Sequence, residues 1–214
     1  QGTVSPAKYN YWSSPVINSP NAVIMTSVTG NNSYEYVPAN TTGSDIEGLR
    51  AGWALRSPSQ IMDQGKGYIA TNAGNANFVG VPYEGTLSLS LQNNAFTKFN
   101  LVGNPYPSSL SATALLSGNA GQVVPSLYFW DDDGTAGASY ATGDYVAVNS
   151  LGAASGGNGS AASFTGQIAS GQGFFVEAVG TSNSITFNNT MRSGNTANFF
   201  EENETLQRVW IKVN

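Results

Sequence analysis

The chain has 214 residues, enough to bury a sizeable core, and only 10% of them are charged against about a quarter in an average soluble protein. The absence of cysteine excludes a disulfide framework, thiol catalysis and thiolate metal sites, and the absence of histidine removes the commonest general base and the Ser-His-Asp triad. A net charge of −5, with eight scattered Lys and Arg residues, argues against nucleic acid and anionic membranes as partners, since both need a basic patch.

The chain opens at Gln1 without an initiator Met or a signal peptide, so it reads as a processed or excised piece. No apolar run reaches the roughly 18 residues of a spanning helix, and no membrane insertion is expected. The first phrase, Tyr9-Asn-Tyr-Trp-Ser-Ser-Pro15, is aromatic, and strand-like segments follow at Ala22–Thr29 and Ser33–Val37. Gly65-Lys-Gly-Tyr-Ile-Ala70 carries a strand over Gly67–Ala70; it is no phosphate loop, because the Gly-x-x-x-x-Gly-Lys-Ser/Thr order is missing. Further strands are expected at Asn77–Val81 and Thr86–Leu91. In the second of these Leu87, Leu89 and Leu91 alternate with serines, as a half-buried antiparallel strand requires.

Phe99–Val102 leads into Leu101-Val-Gly-Asn-Pro-Tyr-Pro107, where two prolines fix φ and stiffen the turn. The ring of Tyr106 is therefore either presented for stacking on a sugar or plugged into the end of the fold beside a cis proline. Ser109–Leu116 is the one segment able to form a short helix, with Ser111 or Ser109 as its cap. After the strand Ser126–Trp130 comes Asp131-Asp-Asp-Gly134, whose successive carboxylates repel unless screened. Oxygen ligands from Asp131, Asp133 and Asp144 are the type that Ca²⁺ selects, although no Glu closes an EF-hand loop. Tyr140 is a second candidate for stacking on a glycan.

Asp144–Val148 is a strand, and the Gly-rich stretch 151–163 is expected to be a flexible surface loop inside one domain spanning 1–214. Gly171-Gln-Gly-Phe-Phe-Val176 opens the strand Gly173–Val179, and Ser184–Phe187 follows. The closing stretch 208–214 alternates Val209, Ile211 and Val213 with Arg208, Trp210 and Lys212, and reads as a terminal strand. Val209, Trp210, Ile211 and Val213 can complete the chain's own sheet, or add to a neighbour's sheet and build a homo-oligomer or polymer. About ten or eleven short antiparallel strands with turn signals between them give an all-β class, a β-sandwich or jelly roll. Trp12, Tyr68, Phe129, Phe174 and Phe175 are expected in its core.

Several of these phrases, taken in order, resemble a module of large Bacteroidota surface and secreted proteins exported by the type IX secretion system. They are Tyr9–Pro15, Gly65–Ala70, Leu101–Pro107, Leu127-Tyr-Phe-Trp-Asp131 and Gly171–Val176. The resemblance runs from Tyr9 to about Arg208. It implies an extracellular or cell-surface location and a non-enzymatic role, and carries no catalytic motif. The acidic loop from Asp131 to Asp144 departs from the usual form of the module.

The expected function is thus a non-enzymatic cell-surface module, structural or adhesive and able to self-assemble. The alternative is a calcium-assisted glycan-binding module. Its partners would be other surface-protein subunits or extracellular glycans. No cofactor is required on either reading unless Ca²⁺ is bound. Asp63, Glu84, Asp132 and Glu177 are the carboxylates a glycoside hydrolase would need, but nothing in the sequence pairs them.

Overall fold

The structure is a computed structural model that describes residues 9–25, 32–71, 76–131, 144–157, 160–194, 197 and 210–212. In chain order its strands are β1 (Tyr9–Trp12), β2 (Ser33–Tyr36), β3 (Trp53–Arg56), β4 (Tyr68–Thr71), β5 (Asn77–Val79), β6 (Leu87–Ser90), β7 (Phe99–Gly103) and β8 (Ser109–Ser111). There follow β9 (Val123–Trp130), β10 (Tyr145–Asn149), β11 (Ala154–Gly156), β12 (Gln167–Ile168), β13 (Gly173–Ala178), β14 (Ser184–Phe187), β15 (Arg192–Ser193) and β16 (Trp210–Lys212). Two short helices, α1 (Ile46–Arg50) and α2 (Ala112–Gly118), complete the set with a few 3-10 turns. The all-β class is borne out; the strands are shorter and more numerous than expected.

A five-stranded antiparallel sheet, in the order β11-β10-β9-β13-β7, is the central layer. Alternation sends Phe129, Leu127, Val146, Val148, Phe174, Val176 and Val102 to one face, where Leu115 and Leu116 of α2, Ile185 and Phe187 of β14 and Leu110 of β8 close the largest core over them. The leucine alternation of β6 behaves as its pattern demands: Leu87 and Leu89 pack against this core and Ser88 and Ser90 are exposed. The opposite face carries Tyr145, Trp130, Tyr128, Phe175, Leu101 and Phe99. Part of it is covered by the four-stranded sheet β1-β4-β2-β3, through Tyr11, Tyr36, Trp53 and Ile69. Trp12, Tyr68 and Ala70 on the far side of that second sheet face a third core with Val16, Ile24, Met62 and Phe78. Trp12, Tyr68, Phe129, Phe174 and Phe175 are all buried.

The two large sheets meet at a seam of close backbone approaches. Gly67 N–H donates to Leu101 O at 3.0 Å, Gly103 N–H to Gly65 O at 2.9 Å and Ser13 N–H to Gly171 O at 2.7 Å. A Cβ on Gly103 would lie 2.4 Å from Cβ of Ser13, and one on Gly67 2.6 Å from Cγ of Leu101, so the glycines of two aromatic phrases are what allow the sheets to touch.

Several local expectations change. Asn21–Ile24 is a 3-10 turn and not part of a strand over Ala22–Thr29: Pro20 precedes it at φ −71°, and the buried Asn21 amide is held by Ser57 O and the Ser33 hydroxyl. Ser109–Ser111 is strand β8, so the helix starts later, capped by Ser111 Oγ accepting from Ala114 N–H at 3.2 Å. Helix α1 escaped the sequence; its cap is Asp45 Oδ1, which accepts from Gly48 N–H at 2.8 Å. The 151–163 stretch contains β11, paired with β10, and a 3-10 turn at Ser160–Ser163. Among the described strands β5 and β16 pair in parallel, with Ile211 opposite Phe78.

Candidate functional site

Beside the contacts of the second sheet, this face of the central sheet carries a partly exposed aromatic ledge. Its floor is set by cross-strand register, with Tyr128 beside Ala147 on β10 and Phe175 on β13, and Phe99 on β7 opposite Glu177. Because Phe99, Phe175 and Glu177 have the same parity in paired strands, all three stand on one face. Its wall is Tyr36 and Trp53, neighbours across β2 and β3 with ring centroids 5.1 Å apart.

Phe175 is the hub. Its ring meets Tyr36 at 5.2 Å, Tyr11 at 5.6 Å, Trp53 at 6.1 Å and Phe99 at 6.3 Å, all edge-on. Phe99 and Tyr128 stand 5.5 Å apart at 82°. Edge-to-face packing is the arrangement the ring quadrupoles favour, and it locks each ring's orientation. Phe99 is 37% exposed, and Tyr36, Trp53 and Tyr128 are half-buried, so the inner rings are core and the outer ones form a rim. The Tyr36 phenol is pushed up by burial and partly relieved by its hydrogen bond to the buried Thr97, which ties wall to floor. The half-buried Ser126 and Glu177 are the polar groups of the floor.

The expected ligand-binding role of Tyr106 is overturned. The residue is 0% exposed, its hydroxyl donates to Gly85 O at 2.6 Å, the Arg192 guanidinium lies 5.2 Å above its ring, and Tyr83 packs beside it at 5.9 Å. Asn104 turns the Pro-Tyr-Pro frame inward. Its Nδ2 donates to Ser108 O, Ile168 O and Ala169 O, and its Oδ1 accepts from Tyr106 N–H at 3.0 Å. Burial pushes the Tyr106 phenol up to about 12. The flanking peptide bonds are trans, so this end-plug needs no cis proline.

Asp131 and Asp144 face one another across the end of the β9–β10 ladder, Asp131 N–H donating to Asp144 O at 2.8 Å. Asp131 is buried just past the end of β9, against Gly157. Asp133 and Tyr140 lie outside the described residues, as do Val209 and Val213. Among the described residues no three of His, Cys, Asp or Glu are grouped to hold a metal ion. Trp210 and Ile211 belong to β16, whose backbone pairs with β5 of the same chain.

The ledge was missed in the sequence because its rings come from five strands spread between Tyr36 and Phe175. The signal that could have found it is Phe99, an apolar ring that opens β7 directly after the exposed Lys98. A family model described as a domain of unknown function (DUF8693) matches residues 1–214. No curated protein and no solved structure matches the chain.

Proposed function

We propose, from the premise that the chain belongs to the DUF8693 family of domains of unknown function, that it is a non-catalytic module of an exported cell-surface protein, with an adhesive or structural role. The observation that carries this reading is the aromatic ledge. It is a rigid apolar face with a partly exposed rim, in a molecule several of whose described carboxylates are engaged within its own frame. Glu35 pairs with Arg56 at 3.0 Å, Asp63 pairs with Lys66 at 2.8 Å, and Asp45 caps a helix. Carboxylates so engaged are poorly placed for acid–base work, which needs a free pair across a cleft.

Two measurements test this reading. Antibody against the chain should label intact, unpermeabilised cells of the source organism, and the purified chain should turn over none of a panel of nitrophenyl glycosides and esters. Turnover abolished by a single carboxylate substitution overturns the non-catalytic reading, and labelling only after permeabilisation overturns the surface location.

Self-assembly is the second reading, favoured by the pairing of β16 with β5. A parallel ladder of three residues is short enough for the same strand of another copy to replace it. Light scattering and negative-stain microscopy, with and without a chelator, test both this and an assembly role for a Ca²⁺ held by Asp131, Asp133 and Asp144. A chelator-indifferent monomer removes the polymer and that role for Ca²⁺.

A further inference from the structure

We propose that the ledge of Phe99, Tyr128, Tyr36 and Trp53 is a binding site for a neutral saccharide, with Glu177 and Ser126 receiving its hydroxyl groups. The inference rests on the adhesive reading and supplies its ligand class.

Three features of the face select that ligand. The first is shape: Phe99 and Tyr128 stand at 82° to one another, so a flat ligand lying on one ring meets the edge of the other, with Trp53 and Tyr36 as a wall. The negative face of an aromatic ring complements the weakly positive C–H face of a pyranose. The second is charge. Among the described residues of the floor strands, the charged side chain on this face is the carboxylate of Glu177, on β13 opposite Phe99, and the chain as a whole carries −5. Such a site repels phosphate, sulfate and uronate groups and accepts hydrogen bonds from neutral hydroxyls. The third is area. A fully buried aromatic side chain covers roughly 150–250 Å², so four that are each about a third exposed or less offer at most about 200–350 Å². That falls short of the roughly 800 Å² per partner of a stable protein interface, whereas one or two sugar rings are covered by it.

The rings are also pre-set for the task. Phe175 locks the wall and the floor from beneath, so little side-chain freedom is left to lose when a sugar arrives, and loss of that freedom is a main cost of binding.

The test uses the full chain and four neutral probes, cellohexaose, xylohexaose, mannohexaose and laminarihexaose, with oligogalacturonate as the acidic comparison. Calorimetry measures binding, and proton NMR follows the aromatic resonances of Phe99 and Tyr128. At least one neutral probe should bind with a millimolar or tighter Kd and shift those resonances. Phe99→Ala and Tyr128→Ala should each weaken binding about tenfold, in line with the loss of one stacked ring, and Glu177→Gln a few-fold, with unchanged melting temperature in the last. If Phe99→Ala does not fold, Phe99→Leu keeps the core contact and removes the ring.

No binding of any neutral probe at about 10 mM overturns the proposal, as does binding that survives both ring substitutions. A dimer in light scattering that Phe99→Ala disperses gives the ledge to a second copy of the chain and overturns it too. Surface labelling of intact cells together with an empty ledge sinks this inference alone; internal labelling sinks the reading beneath it.

Discussion

The phenol oxygens of Tyr11 and Tyr145, 134 residues apart, lie 2.7 Å from each other. The first stands on the four-stranded sheet and the second on the central one, so this bond crosses between the two layers, inside a shell of rings that includes Trp130 and Phe175. Removing either hydroxyl should cost about 1 kcal/mol, since a part-buried oxygen loses a partner. A double-mutant cycle of Tyr11→Phe and Tyr145→Phe, read from urea midpoints at constant m, should return a favourable coupling of about 0.5–1 kcal/mol. Strict additivity would mean that the two hydroxyls do not bond in solution.

Alkali should unfold the protein through its tyrosines. Burial pushes Tyr145 up to about 12, with the Tyr11 bond opposing and Tyr36 and Asp144 adding to the rise, and Tyr106 is likewise raised to about 12, chiefly by burial. A phenol raised in the folded state is neutral there while its unfolded counterpart ionises near 10, so the unfolded chain holds fewer protons between the two values. Their contribution to stability is therefore constant below pH 10 and is lost as pH rises from 10 to 12, by about 2–3 kcal/mol per group. Thermal melts from pH 8 to 12 measure it; a flat profile in that window refutes the burial of both rings.

Asn104→Ala should be among the most damaging single changes in the chain. It strips Ser108 O, Ile168 O and Ala169 O of a donor and Tyr106 N–H of an acceptor, in a buried turn. The expected loss is about 3 kcal/mol or more, against about 1 kcal/mol for Tyr106→Phe, which gives up the bond to Gly85 and keeps the packing. Calorimetric melting of the two variants side by side checks the ranking.

Gly157 has φ +67°, and a Cβ there would stand 2.6 Å from Asp131 Oδ2 and 2.4 Å from Val146 Cγ2. Gly157→Ala should cost about 2–3 kcal/mol, more than an ordinary surface change, because the strain of the left-handed backbone adds to a collision with two groups that have little room to move. Gly121→Ala is the control: it shares the positive φ but would meet nothing within 4 Å, so only the backbone term remains. Equal destabilisation of the two would show that the Asp131 contact is absent.

A chain ending before β16 leaves β5 without its parallel partner. Amide exchange at Asn77, Phe78 and Val79 should speed up while the central sheet keeps its protection, and any assembly built by exchange of β16 between copies should be lost. Unchanged exchange at those amides would mean that β16 does not dock there.

What could be read from the sequence was whatever a residue's immediate neighbours decide. Leu87 and Leu89 alternate with exposed serines, and so the half-buried strand β6 was legible. Ser111 could be named as a cap because it precedes an Ala/Leu run. Strand β1 was not legible as a strand, since Asn10, Tyr11 and Trp12 are all buried, on both faces, and the period-2 signal that marks a surface strand vanishes. Tyr106 shows the same limit: the prolines foretell a stiff turn, but whether its ring faces solvent or core is decided by carbonyls at Ile168 and Ala169, more than sixty residues on. The ledge was illegible for that reason too, being an accident of register among β2, β3, β7, β9 and β13.

The seam between the sheets also fixes how the molecule would bear a pull. Strand β1 lies antiparallel to β4, with Trp12 opposite Tyr68 and Tyr9 opposite Thr71, and β4 is anchored to β7 just before Tyr68, through Gly67 and Leu101. Tension drawn out through Tyr9 therefore acts on one end of the ladder while the resisting anchor holds the other. All of its hydrogen bonds are loaded together in shear, and the bond from Ser13 to Gly171 shares the load. Such a strand does not peel bond by bond; it holds until the whole ladder ruptures, which is the behaviour of a tether.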